Sequence, residues 1–285
     1  MLGFCLVKEL EKDFEVYSTG NSQYCSHVTR YLKFDLLSDS YKKLIDWSNP
    51  DIIIHCAALT DGTYCEKNPH EAYKVNGLSM KKIIDATKKK VKIIYISSDA
   101  VFPSTLNLAK EIDCVSPENI YGKSKELGEY FLKTSKNIEY LIIRTTIVGL
   151  NFNNNKTSFI DWIIRTSIKN QKLGLFNDVL FSPITIWDLS NEIKFLLNSN
   201  NINSEILHIS GEMCTKYEFG KSLLKSLNIS TLNLFENSIL TFSQRFNRST
   251  DQTLDSSFYE KKYSRILPKL NQTINNLKKH YNGQN

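Results

Sequence analysis

Three short apolar runs punctuate the first half of the chain: Ile52-Ile53-Ile54, Val91 to Ile96, and Tyr140 to Ile143. They are nearly continuous rather than alternating, as strands buried on both faces of a sheet must be. The stretches Tyr41 to Trp47, His70 to Lys89 and Tyr121 to Lys136 carry helical spacing instead. Strands alternating with helices of this length predict an α/β fold with βαβ crossovers and a doubly wound parallel sheet. The pattern also predicts that the chain begins inside a helix, Met1 to Leu10, which runs into a short strand at Phe14 to Ser18. A further apolar element ends at Asp35-Leu36. Beyond Leu150 the character changes. Asn151 to Asn155 reads as a polar loop, while Phe159 to Ile168 and Asp188 to Leu197 read as amphipathic helices. Glu205 to Gly211 reads as a late strand that rejoins the main sheet, and 212–285 as small helices and loops.

Composition narrows the class. A chain of 285 residues with 41% hydrophobic content can bury a large core, as one large domain or one domain with a smaller cap. The net charge of +6 is spread among helices that also carry acidic residues, and Lys88-Lys89-Lys90 is the one lysine run that stands out. That is the pattern of a solvated helix end, so no nucleic-acid partner is expected. The six cysteines contain no Cys-x-x-Cys pair and the histidines form no ligand-spaced cluster with them, so neither a structural zinc nor any other metal is expected. No apolar run approaches the ~20 residues that span a bilayer, and no signal peptide opens the chain, so a cytoplasmic protein without membrane contact is expected.

The candidate chemistry is in Tyr121-Gly122-Lys123-Ser124-Lys125. Tyrosine and lysine one helical turn apart stand on one face, and a neighbouring ammonium favours the phenolate. Lys125 is therefore expected to lower the Tyr121 pKa and make the phenol a proton donor to a carbonyl oxygen. Alone, such a pair recurs by chance on surface helices; the strand ends give it weight. In an open parallel sheet the ligand lies beyond the carboxyl ends of the strands. There Ala57-Ala58 have little side chain to obstruct a flat or phosphorylated ligand. Ser98 ends the second buried strand with a hydroxyl, one crossover before Tyr121.

These residues carry a family resemblance. His55-Cys56-Ala57-Ala58-Leu59-Thr60, Val75-Asn76, Ser97 to Phe102, Tyr121 to Lys125 and Arg144-Thr145-Thr146 resemble the extended short-chain dehydrogenase/reductases. Within them the chain is most similar to the dTDP-4-dehydrorhamnose reductase subfamily. The likeness continues in Phe181 to Ile184, Ser210-Gly211, Thr215 to Glu218 and Arg248 to Asp255. It implies a Rossmann-like sheet and NAD(P)H-dependent reduction of a nucleotide-linked 4-keto-6-deoxysugar for polysaccharide or glycan synthesis. It implies Tyr121, Lys125 and Ser98 as catalytic residues, with Tyr121 protonating the sugar C4 oxygen. Gly3, Asp35, Leu36, Ala57, Ala58, Leu59, Tyr121 and Lys125 would bind NADP or NAD, and Ser98, Asp99, Tyr121 and Arg248 would bind substrate. The implied division is a dinucleotide-binding domain at 1–150, with 183–211 returning to it, and a substrate-binding domain at 151–182 and 212–285. A homodimer through a helix face is a fold-level analogy.

The chain departs from the family pattern in places. Met1-Leu2-Gly3 matches the end of a Gly-x-x-Gly-x-x-Gly turn, so about ten residues with the first strand and two glycines are expected upstream of the printed start. Ser18-Thr19-Gly20-Asn21 has no acidic residue for an adenosine ribose, which permits NADP, with Arg30 as a candidate partner of its 2'-phosphate. Ala100 and Ile147 stand where the rhamnose-pathway enzymes carry aromatic residues, which admits another 4-keto-deoxysugar. Two other readings compete: a sugar-nucleotide epimerase or dehydratase on the same fold, and a non-catalytic nucleotide-binding subunit, similar to the regulatory subunit of methionine adenosyltransferase, or an inactive truncated homologue.

Overall fold

The computed structural model describes residues 1–22, 30–151, 157–199, 203–241 and 249–283. Its centre is a four-stranded parallel sheet built from β3 (Ile52–His55), β4 (Val91–Ile96), β5 (Ile138–Arg144) and β6 (Glu205–His208), in the order β6-β5-β4-β3. β1 (Ser18–Gly20) and β2 (Tyr31–Lys33) pair in parallel as a separate two-stranded ladder. The late strand Glu205–His208 lies parallel to β5, with His208 opposite Arg144.

Period-2 geometry explains why the strands are apolar throughout. Successive side chains of β4 point to opposite faces, and both faces are covered. Ile94 and Ile96 join one core with Leu141, Ile143 and Leu207, under helices α1 (Leu2–Leu10) and α8 (Ile186–Asn198). Ile93 and Tyr95 join the opposite core with Tyr41, Met80, Ile83 and Leu132, under α2 (Tyr41–Ser48), α5 (Ser79–Ala86) and α6 (Ile120–Thr134). A third core gathers α7 (Phe159–Ile168), α9 (Lys216–Ser226) and α11 (Leu270–Asn282) around Phe181, Phe219 and Leu223.

The structure differs from the sequence pattern at three places. Phe14 and Val16 pack against the first core from irregular chain, and the strand begins only at Ser18. The expected helix from His70 to Lys89 is broken into α4 (Pro69–Ala72), a π-helical stretch at Tyr73–Leu78, and α5. Residues 212–285 contain strands as well as helices: Cys214–Thr215 and Asp251–Gln252 flank Leu180–Phe181, and Leu234–Asn237 pairs with Leu173–Phe176. Of the expected polar loop, 152–155 lie outside the described residues. Among the described residues no helix is long and apolar enough to cross a membrane, and no group of His, Cys, Asp or Glu could hold a metal ion.

Candidate active site

Chain leaving β4 turns sharply at Ser98, whose hydroxyl caps the short 3-10 helix Asp99–Val101 by accepting from the Ala100 N–H at 3.2 Å. The same hydroxyl donates to Asp99 Oδ1 at 2.6 Å, and Thr146 donates to Asp99 Oδ2 at 2.6 Å. Helix α6 brings Tyr121 to this turn. Its start is fixed by Asn119, which accepts from Gly122 N–H at 2.8 Å, and by Glu66, which accepts from Ile120 N–H at 2.7 Å. The Ser98 hydroxyl acts on the Tyr121 phenol and favours its ionised form. At rest the one proton on Ser98 is directed to Asp99 Oδ1.

The approach of α6 to the turn depends on Gly122. A Cβ there would lie 2.0 Å from the Ala100 carbonyl oxygen, a contact only displacement of the helix relieves. Gly122→Ala should therefore cost roughly 1–3 kcal/mol of stability, read as a lower urea midpoint at unchanged slope.

Lys125 is 1% exposed, with its ammonium 4.0 Å above the centre of the Tyr95 ring. Among the described residues no carboxylate reaches it at ion-pair distance. Burial pushes its pKa down to about 7, with Glu129 and Cys56 pulling it back up. The Tyr121 pKa moves opposite to the sequence expectation. Burial raises it, the hydrogen bond with Ser98 lowers it, Asp99 and Cys65 raise it further, and Lys125 is not among the causes. The reason is desolvation: a phenolate here would lose more from water than its surroundings return. At neutral pH the phenol is protonated.

Beyond β3, Ala57, Ala58 and Leu59 form a loop tied to α6 by Asn76. Its amide accepts from Leu59 N–H at 2.8 Å and donates to the Leu59 carbonyl at 3.0 Å and to Ser124 Oγ at 2.9 Å. Asn76 is fully buried in the π-helical stretch; its place in the motif was visible in the sequence, its bolting role was not. His55, at the end of β3, is pushed down to about 3 by burial and by Lys125, and is neutral. Gly3 lies beside the same strand end: a Cβ on it would be 3.8 Å from the Cys56 Cβ. Ser98, Asp99, Tyr121, Lys125 and the 57–59 loop are thus gathered at one end of the sheet.

Asp35 and Leu36 follow β2, in the separate ladder. Asp35 accepts from Leu37 N–H at 2.9 Å and the Leu36 carbonyl accepts from the Tyr41 hydroxyl at 2.8 Å, which makes both parts of a local turn. Arg30 pairs with Glu15 at 2.9 Å. Arg248 lies outside the described residues.

Comparison with known proteins agrees with this architecture. The family model described as RmlD substrate binding domain matches residues 1–282. The spore coat polysaccharide biosynthesis protein SpsK of Bacillus subtilis is 29% identical over 185 residues, 64% of this chain and 63% of that protein, so the match spans less than two thirds of that relative's length. The dTDP-4-dehydrorhamnose reductase of Salmonella typhimurium is 27% identical over 230 residues, 77% of this chain and 76% of that one. The crystal structure of dTDP-4-dehydrorhamnose reductase from Bacillus anthracis in complex with NADP superposes with a TM-score of 0.79 at 25% identity, covering 95% of this chain and 94% of that one.

Proposed function

The chain belongs to the RmlD substrate binding domain family, and on that premise we propose that it is an NAD(P)H-dependent reductase of a nucleotide-linked 4-keto-6-deoxysugar, of the dTDP-4-dehydrorhamnose reductase type, acting in polysaccharide or glycan precursor synthesis. The observation that carries the reading is a buried, protonated Tyr121 phenol, acted on by Ser98, one turn before a buried Lys125. A carbonyl reductase needs its acid protonated before the reaction, and burial keeps Tyr121 so.

The residues present suit a nicotinamide dinucleotide. Lys125 offers three N–H donors with no carboxylate competing among the described residues, and the Ala57–Leu59 loop offers backbone at the β3 end, its Leu59 N–H held by Asn76. When bound, reduced NADP or NAD would supply the hydride to C4. The chain's part is the proton: Tyr121 donates to the C4 oxygen, and the O–H bond passes from phenol to sugar. The phenolate left behind is stabilised by Ser98, whose hydroxyl can turn from Asp99, and by the Lys125 ammonium. Residues 1–150 with 183–211 form the dinucleotide side in this reading, and 151–182 with 212–285 the sugar side. It assigns the protein to the cytoplasm, as a soluble enzyme or homodimer with no membrane or nucleic-acid partner.

The reading is tested by mixing the protein with NADPH or NADH and dTDP-4-keto-6-deoxyglucose, converted in place by its epimerase. Loss of reduced-cofactor absorbance that requires every component is expected. Cofactor binding without turnover on any 4-keto sugar nucleotide would instead favour a non-catalytic nucleotide-binding subunit.

A further inference from the structure

A second lysine faces Asp99 from the C-terminal half of the chain. Lys216 is the first residue of α9, and its backbone is fixed from several sides. Its N–H donates to the Val179 carbonyl at 3.1 Å, and a reciprocal capping box between Thr215 and Glu218 sets the helix start. The side chain runs across aromatic rings, with the ammonium 3.4 Å from the centre of Phe181 and 5.3 Å from that of Phe159. Ring faces attract the charge but accept none of its three N–H bonds in the ordinary way.

Phe181, the ring under the ammonium, lies two residues before Pro183, which pairs in register with Thr146, the donor to Asp99 Oδ2, so the ladder brings Lys216 and Asp99 close enough for each charge to act on the other. Among the described residues the two do not close to ion-pair distance. Each Asp99 oxygen accepts one hydroxyl, from Ser98 or from Thr146, and keeps a further lone pair. An ammonium with open donors opposite a carboxylate with open acceptors fits a group that both accepts and donates, which is a hydroxyl. A diphosphate only accepts, and would stand against the Asp99 charge. Asp99 adjoins Ser98, whose hydroxyl acts on the Tyr121 phenol, so the bound hydroxyl belongs next to the reacting carbonyl. On a 4-keto-6-deoxyhexose, C5 carries no hydroxyl, and the neighbour that does is C3.

We propose that Lys216 and Asp99 form a hydroxyl subsite for the C3 hydroxyl of the 4-keto sugar, which makes Lys216 a specificity-determining residue. The subsite rests on the reductase reading for its placement beside C4. Burial lowers the Lys216 pKa to about 8, with Asp99 and Cys214 opposing the shift, so the ammonium is largely charged at pH 7. Sequence inspection alone does not single it out, because Asp99 and Lys216 lie in different halves of the chain and meet only through the fold.

The test is equilibrium binding of dTDP-rhamnose and of its 3-deoxy analogue to the full chain. The native protein should bind dTDP-rhamnose on the order of 10- to 100-fold more tightly, the worth of hydrogen bonds to charged groups. In Lys216→Met the ratio should fall to within about threefold while affinity for the 3-deoxy probe holds. Lys216→Gln, which keeps a donor over the same rings, should fall between, so a folding defect in one variant does not decide the result. A native ratio near one, or a ratio kept in both variants, overturns the subsite. Because binding is read, the outcome is separate from turnover. A native protein that discriminates the two probes yet never oxidises NADPH with a 4-keto sugar would fail as a reductase and still keep the subsite.

Discussion

Tyr121→Phe should lose on the order of 10²-fold or more in turnover while its affinity for NADP changes little. The substitution removes one oxygen and leaves the ring, so α6 and its Asn119 cap are untouched. What disappears is the proton that the raised Tyr121 pKa keeps on the phenol at neutral pH. Ser98 is no replacement acid in the resting arrangement, since its hydroxyl donates to Asp99 Oδ1 at 2.6 Å. The pH profile sharpens the test. The raised Tyr121 pKa keeps the acid loaded through neutral pH, whereas Lys125 loses its charge as pH rises through about 7 in the ligand-free protein. On the proposed role of Lys125, kcat/KM, which reports groups of the free enzyme, should decline above that pH. Unchanged turnover in Tyr121→Phe would remove the phenol from the mechanism.

The sheet was legible because burial on both faces leaves a composition signal: Ile93, Ile94, Tyr95 and Ile96 can be continuous only where helices cover both sides. The π-helical stretch was not legible, because one extra residue in a turn changes no hydrophobic count. Its reason is tertiary: Asn76 reaches both the Leu59 backbone and Ser124, and a Cβ on Gly77 would meet Leu127 at 2.8 Å. Phe14 and Val16 looked like strand residues since alternation is all a short strand shows, yet they bury against the core without a ladder partner among the described residues. At the site, the motif residues were readable and their electrostatics were not. A lysine one turn from a tyrosine suggests a lowered phenol pKa, but desolvation depends on everything packed around the pair, and here it wins. Lys216 escaped for a related reason, since a lysine opening a helix reads as solvated until Phe159 and Phe181 are found beneath it.

Arg144→Met should be the most destabilising single substitution considered, at about 3–5 kcal/mol, because it strands a buried charge. Glu129 is fully buried and accepts from Arg144 Nε at 3.0 Å, from Arg144 Nη2 at 2.7 Å and from Ser97 Oγ at 2.6 Å. Lys133 pairs with Glu129 at 3.8 Å, beyond hydrogen-bond length, so it offsets part of the charge without replacing the two guanidinium hydrogen bonds. Replacing both partners, Glu129→Met with Arg144→Met, should cost less than the single change, since no uncompensated charge remains and only the Ser97 hydroxyl loses its acceptor. The pH dependence has a definite sign. Burial alone would raise the Glu129 pKa, but the hydrogen bonds and charge of Arg144, with Ser97 and Lys133, outweigh it and the net shift is downward. A lowered folded-state pKa contributes stability that is present above the ordinary glutamate value of ~4.3 and is lost as pH falls through the folded value. Without Arg144 burial prevails, the carboxyl takes up a proton more readily in the folded chain than in the unfolded one, and acid relieves the variant while it weakens the native protein. The gap between the two urea midpoints should therefore be widest near neutral pH and narrow below about pH 4. A gap independent of pH would mean that lost packing, not the stranded carboxylate, accounts for the destabilisation. The same network ends at Ser97, next to Ser98, so the double variant should also lose turnover in proportion to how far the Ser98 turn has moved.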